Sequence, residues 1–240
     1  MIFIAAPFGN WVKPVGCIPV TGTYTLHARG NRLWSAVRSL RYDFKRRGWT
    51  NRLQLPNPGV KVGLDRQIRG EVLSIAEVNK GDFGKLIEII PEGTNVELNL
   101  SCPNLGVALS WDSARVFTQT NVRKWCIAKL SPLTTPEQLE FLIDELGFTQ
   151  LHFSNTLPLG GGGRGGGLSG RVLRPYTLEL IRLVRENWGD TVTIIAGGGV
   201  DDFGAVYEYL NEGANHVSLG SVCFNPFKIR KLLRQSKDAN

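Results

Sequence analysis

Eight short apolar runs, most of them followed by a segment of helical character, constrain the fold of this chain more than any other feature. The runs lie at 2–6, 17–21, 71–76, 96–100, 125–130, 150–154, 191–196 and 216–219. Helical patterns occupy 82–90, 113–120, 136–146, 176–187, 202–212 and 226–235. Several runs are continuously apolar, as expected of parallel strands covered on both faces. Pro136 and Pro226 suit a first helical turn, and Gly147 and Gly213 suit helix ends. Eight strand–helix units in 240 residues predict one α/β domain over 1–240, closed as a (β/α)8 TIM barrel. The second unit departs from the pattern. Residues 23–69 are long, basic and aromatic, with the turn Leu55-Pro56-Asn57-Pro58-Gly59, and predict a hairpin or cap inserted after strand two over the C-terminal mouth.

Composition narrows the class. Hydrophobic residues at 42% and charged residues at 20% are ordinary for a globular protein. No apolar run nears the roughly 18 residues of a membrane span. The apolar start has no basic segment before it and reads as a first strand, so a cytoplasmic protein is expected. Cys17, Cys102, Cys126 and Cys223 form no closely spaced pair, which disfavours disulfides, zinc and iron–sulfur clusters. Cys17 and Cys126 read as buried strand residues. The net charge is +7, and between Arg29 and Arg52 eight Lys/Arg face one acid, Asp43. Such a segment attracts an anion to the mouth, forms a nucleic-acid patch or is a solvated surface loop.

The candidate chemistry sits at strand ends. The run Glu97-Leu98-Asn99-Leu100-Ser101-Cys102-Pro103-Asn104 delivers two carboxamides and a thiol into one loop. Lys129, at the end of Ala128-Lys129-Leu130, is read as pointing into the mouth, opposite its neighbours. Ser154-Asn155-Thr156 is followed by a glycine-rich stretch at 160–170, read as a mobile active-site loop rather than a linker. Gly197-Gly198-Gly199 and Gly220-Ser221 close strands seven and eight, where barrels bind phosphate through backbone N–H groups. The three histidines do not cluster, and His152 reads as a structural residue. Asp201 and Asp202 fit a helix N-cap.

Five blocks in order, NLSCPN (99–104), AKLSP (128–132), SNT (154–156), GGLSG (166–170) and AGGGV (196–200), resemble dihydroorotate dehydrogenase, a family of FMN-dependent barrel enzymes of pyrimidine synthesis. The resemblance spans most of the chain. It implies that Cys102 is the catalytic base of the soluble, cysteine-using class. It implies that Asn51, Asn99, Asn104, Asn155 and Thr156 bind the pyrimidine ring and its carboxylate. Lys129 matches the lysine beside the flavin N1/O2 edge. Thr23, Ser169, Gly170, Gly198, Gly199, Gly220 and Ser221 match FMN contacts, the last four around the phosphate. Dihydroorotate is the implied substrate, orotate the product, and a homodimer the implied assembly, with no membrane or nucleic-acid partner. One departure stands out: the family's second lysine is missing from 6–11 and 20–23, which leaves Lys13 or an arginine of the basic segment as its candidate replacement. The competing readings are a tRNA dihydrouridine synthase, with the basic segment on RNA, and an FMN-binding barrel without turnover.

Overall fold

The computed structural model describes residues 1–30, 39–52, 55–100, 111–119, 122–160 and 166–238. In chain order the strands are β1 Ile2–Ile4, β2 Cys17–Tyr24, β3 Arg41–Asp43, β4 Gly48–Asn51, β5 Val72–Ile75 and β6 Val96–Asn99. They continue as β7 Cys126–Lys129, β8 Gln150–Phe153, β9 Leu157–Pro158, β10 Gly167–Gly170, β11 Thr193–Ala196 and β12 His216–Leu219. The helices are α1 Val60–Arg66, α2 Asp82–Ile89, α3 Pro136–Glu140, α4 Arg174–Trp188, α5 Phe203–Asn211 and α6 Pro226–Asp238. Eight strands close a parallel barrel in the order β1-β12-β11-β8-β7-β6-β5-β2. All eight apolar runs supply one strand each: six are trimmed by one or two residues, β12 keeps its expected bounds, and β2 extends three residues further, to Tyr24.

Period-two alternation divides the strand residues between two cores. Leu98, Ala128, Leu151, Ile194, Val217 and Leu219 face outward and pack under the helices. Phe3, Val20, Val72, Trp125, Ile127 and Ile195 face inward and plug the barrel. One step toward the C-terminal end of the strands, the inward positions turn polar: Ser74, Glu97, Lys129, His152 and Ser218 are all buried. The barrel is therefore apolar at its base and hydrogen-bonding near its mouth.

Helix starts follow the local chemistry. Thr135 forms a capping box with Gln138 ahead of Pro136, and the Asp202 carboxylate accepts from the Ala205 N–H at 2.9 Å. Gly147 and Gly213 take left-handed φ values of 76° and 114° at helix ends. Three local expectations need correction. The 113–120 helix is a 3-10 segment, Trp111–Phe117. The 23–69 insertion contains a helix, α1, too short to show a periodic apolar face in sequence. The end of the glycine-rich stretch is a strand: β10 pairs antiparallel with β4 and β9, giving a second sheet, β3-β4-β10-β9. Gly48 and Gly166 permit this close pairing, because a Cβ on either would collide with the backbone oxygen of Ser169 or Asn51. Residues 161–165 lie outside the described residues. Among the described residues no helix is long and apolar enough to cross a membrane.

Candidate functional site

A cavity of about 280 Å³ opens at the C-terminal ends of the barrel strands. Asn51, Asn99, Asn155 and Thr156 line it, as do Thr23, Lys129, Ser169, Gly170, Gly198, Gly199, Gly220 and Ser221. The sequence thus brings these twelve candidates, drawn from both sheets and the glycine turns, to one place. Cys102 and Asn104 lie outside the described residues. Asn155 donates to the Asn99 carbonyl oxygen at 2.9 Å, and Asn99 donates to the Thr23 hydroxyl at 3.4 Å. This chain of amides is fixed in direction, so it presents defined donors and acceptors rather than adaptable ones.

Beneath the amides lies a charged network in which the sequence reading gave a functional role to Lys129 alone. Glu97 is fully buried. Its carboxylate accepts from Ser74 at 2.9 Å, meets His152 Nδ1 at 2.6 Å and lies 3.6 Å from Lys129 Nζ. Burial opposes its ionisation, yet Lys129, His152 and the hydrogen bonds outweigh burial and hold its pKa down at about 2. His152 is also shifted down, but for a different reason: burial lowers its pKa, and the pull of Glu97 does not restore it. The network therefore holds an anionic glutamate and a neutral imidazole. His152, expected to be structural, is indeed hydrogen-bonded, but it sits in the cavity wall. The signal for Glu97 was present in sequence. Strand alternation puts residues 97 and 99 on one face, so a site at Asn99 has Glu97 directly below it.

Both shifts make the fold acid-sensitive with the same sign. His152 is neutral when folded but takes a proton when unfolded below its ordinary pKa of about 6.5. Stability therefore starts to fall as pH drops through that value, and Glu97 extends the loss from about pH 4.5 toward 2. Thermal midpoints measured from pH 8 to pH 4 are expected to decline from near pH 6.5, ahead of the carboxylate range. A midpoint flat down to pH 5 would contradict the neutral imidazole.

Cys126 and Cys223 are poor bases. Burial pushes the Cys126 thiol up to about 11 and the Cys223 thiol up to about 12. Cys17 and Cys126 lie on strands as expected but are only half-buried. Lys13 does not replace the missing lysine: it pairs with Glu71, ahead of β5, at the opposite end of the barrel.

The glycine end of the cavity fits a phosphate. Gly198 and Gly199 take φ values of 85° and 73°, and a Cβ on Gly220 would meet nothing within 4 Å. An adjoining cavity brings Arg47 and Lys228 beside Gly199 and Ser221. Gly199→Ala would force a left-handed alanine, costing about 1–2 kcal/mol. Its Cβ would also sit 2.8 Å from the Gly170 oxygen and the Arg171 Cα, both backbone atoms. Binding of a phosphorylated cofactor is expected to weaken by roughly tenfold or more, measured by equilibrium titration. Unchanged affinity would exclude this loop from the phosphate site.

The sequence pattern of dihydroorotate dehydrogenase matches residues 20–236. The catalytic subunit of dihydroorotate dehydrogenase B (NAD(+)) from Bacillus pumilus is 28% identical over 218 residues, covering 78% of this chain and 70% of that protein. The corresponding subunit from Listeria monocytogenes serotype 4b is 29% identical over 219 residues, covering 78% and 71%. The crystal structure of dihydroorotate dehydrogenase from Eimeria tenella in complex with ferulenol shares the fold, with a TM-score of 0.74 at 21% identity, covering 100% of this chain and 82% of that one. The barrel, the polar layer at its mouth and the match across nearly its whole length place this chain in the dihydroorotate dehydrogenase family.

Proposed function

We propose that this chain oxidises dihydroorotate to orotate in pyrimidine biosynthesis, with FMN as cofactor and Cys102 as base. The observation that carries the reading is the buried Glu97–Lys129 pair set under the Asn99–Asn155 amides, at the mouth of a barrel of this family. The reaction breaks the C5–H and C6–H bonds of the ring and forms a C5=C6 double bond. When bound, FMN supplies the acceptor for the hydride leaving C6. The C5 proton goes to a base on the chain. Cys102 follows Asn99 by three residues, within about 10 Å of extended chain. Its unperturbed pKa of about 8.5 allows partial thiolate near neutrality.

The remaining roles follow from what each side chain can do. Asn51, Asn99, Asn104, Asn155 and Thr156 would hold a neutral, amide-rich ring by matched donors and acceptors. Lys129, anchored by ionised Glu97, would hold the electron-rich edge of the flavin and favour its reduced state. Thr23, Ser169 and Gly170 would contact the cofactor, and Gly198, Gly199, Gly220 and Ser221 would take its phosphate. Residues 23–69 act in this reading as a cap, since Trp49, Asn51, Leu55 and Pro56 line the cavity. The enzyme would work in the cytoplasm as a homodimer.

Denaturing the purified protein and weighing the released cofactor tests the cofactor assignment. FMN is the expected result. FAD, or no uptake of added FMN, would contradict it.

A further inference from the structure

Ser218 presents an anomaly. It is 1% exposed, it lines the cavity, and its hydroxyl has no hydrogen-bond partner among the described residues. A buried hydroxyl without a partner costs stability that alanine would not. His152 stands close by. With the proton of its neutral ring on Nδ1, facing Glu97, Nε2 carries a free lone pair. A Cβ placed on Gly197 would lie 3.2 Å from Ser218 Cβ and 3.3 Å from His152 Nε2. Both side chains therefore flank Gly197 too closely for a side chain there to fit unshifted, and all three residues line the same stretch of the cavity wall.

The strand order explains what lies against this stretch of wall. The sequence β12-β11-β8-β7 runs around the barrel wall. Lys129 ends β7, while the glycine turns follow β11 and β12. His152 on β8, Gly197 after β11 and Ser218 on β12 stand between those two anchors. A ligand held by Lys129 at one end and by the glycine turns at the other must cross this pair.

We propose that Ser218 and His152 form a subsite for a hydroxylated chain, Ser218 Oγ donating and His152 Nε2 accepting. The inference rests on the flavin reading above, in which that chain is the polyol joining the ring to the phosphate. The pair then registers the cofactor along the cavity, a task separate from gripping the phosphate or the ring.

The test uses Ser218→Ala in the full chain. The substitution removes no hydrogen bond made by the described protein, so the flavin-free variant is expected to melt roughly one to several degrees higher than wild type. It is nevertheless expected to bind FMN about tenfold more weakly. An FMN analogue with a plain pentyl chain in place of the polyol should bind both proteins equally. Equal FMN affinity in variant and wild type would overturn the subsite and leave the flavin reading intact. An equal loss for FMN and the analogue would also overturn it, by tracing the effect to packing. Wild-type protein that binds no FMN would overturn both readings.

Discussion

Glu97→Leu is expected to lower stability by about 3–5 kcal/mol, which corresponds to roughly 10 °C in the thermal midpoint of a chain this size. The variant takes a partner from three groups at once. Lys129, 3.6 Å away and 5% exposed, loses its counter-charge, His152 Nδ1 loses its carboxylate partner, and Ser74 keeps only its contact with the Thr23 hydroxyl of the two it makes here. Loss of the buried counter-charge of this ammonium is the dominant penalty. The double variant Glu97→Leu/Lys129→Met removes both charges and should recover much of the loss, because the coupling belongs to the pair. Denaturant melts of the four species measure this directly. A single variant within 1 kcal/mol of wild type would show that the network carries no structural load.

Cys102→Ala is expected to slow reduction of the bound flavin by dihydroorotate by about 10²–10⁴-fold, the usual contribution of a positioned base. Binding of orotate should change little, since the carboxamides and not the thiol hold the ring in this reading. Rapid-mixing kinetics under anaerobic conditions separate the two quantities. Cys102→Ser should retain partial activity only at high pH, where a hydroxyl becomes a serviceable base. A rate within a few-fold of wild type in the alanine variant would remove Cys102 from the mechanism.

The barrel was legible because each strand is an apolar run long enough to stand out, and because helix ends carried their own signals at Pro136, Asp202 and Gly213. The cavity wall was legible where functional residues sit just past a strand end, as at Asn99, Asn155 and the glycine turns. The layer below was harder to read, Lys129 apart, and Glu97 was reachable only by alternation from Asn99. Ser74, Glu97, His152 and Ser218 each stand singly between apolar neighbours, so each reads as an interruption of a buried run. Only closure of the barrel makes them adjacent. The second sheet was hidden for a related reason. Its strands come from distant parts of the chain, and β10 is half glycine, with almost no β propensity of its own. Pairing with β4 makes it a strand. Lys13 misled because its distance in sequence from the first strand end is short, while the chain crosses to the far end of the barrel before β2 begins.

The central claim is that dihydroorotate delivers its electrons at a flavin held over Lys129 and Glu97. The direct measurement is the flavin absorbance of the purified protein after anaerobic addition of dihydroorotate. Prompt bleaching of the yellow band, with orotate formed in equal amount, is the predicted result. A bound flavin that dithionite reduces but dihydroorotate leaves oxidised would contradict the claim.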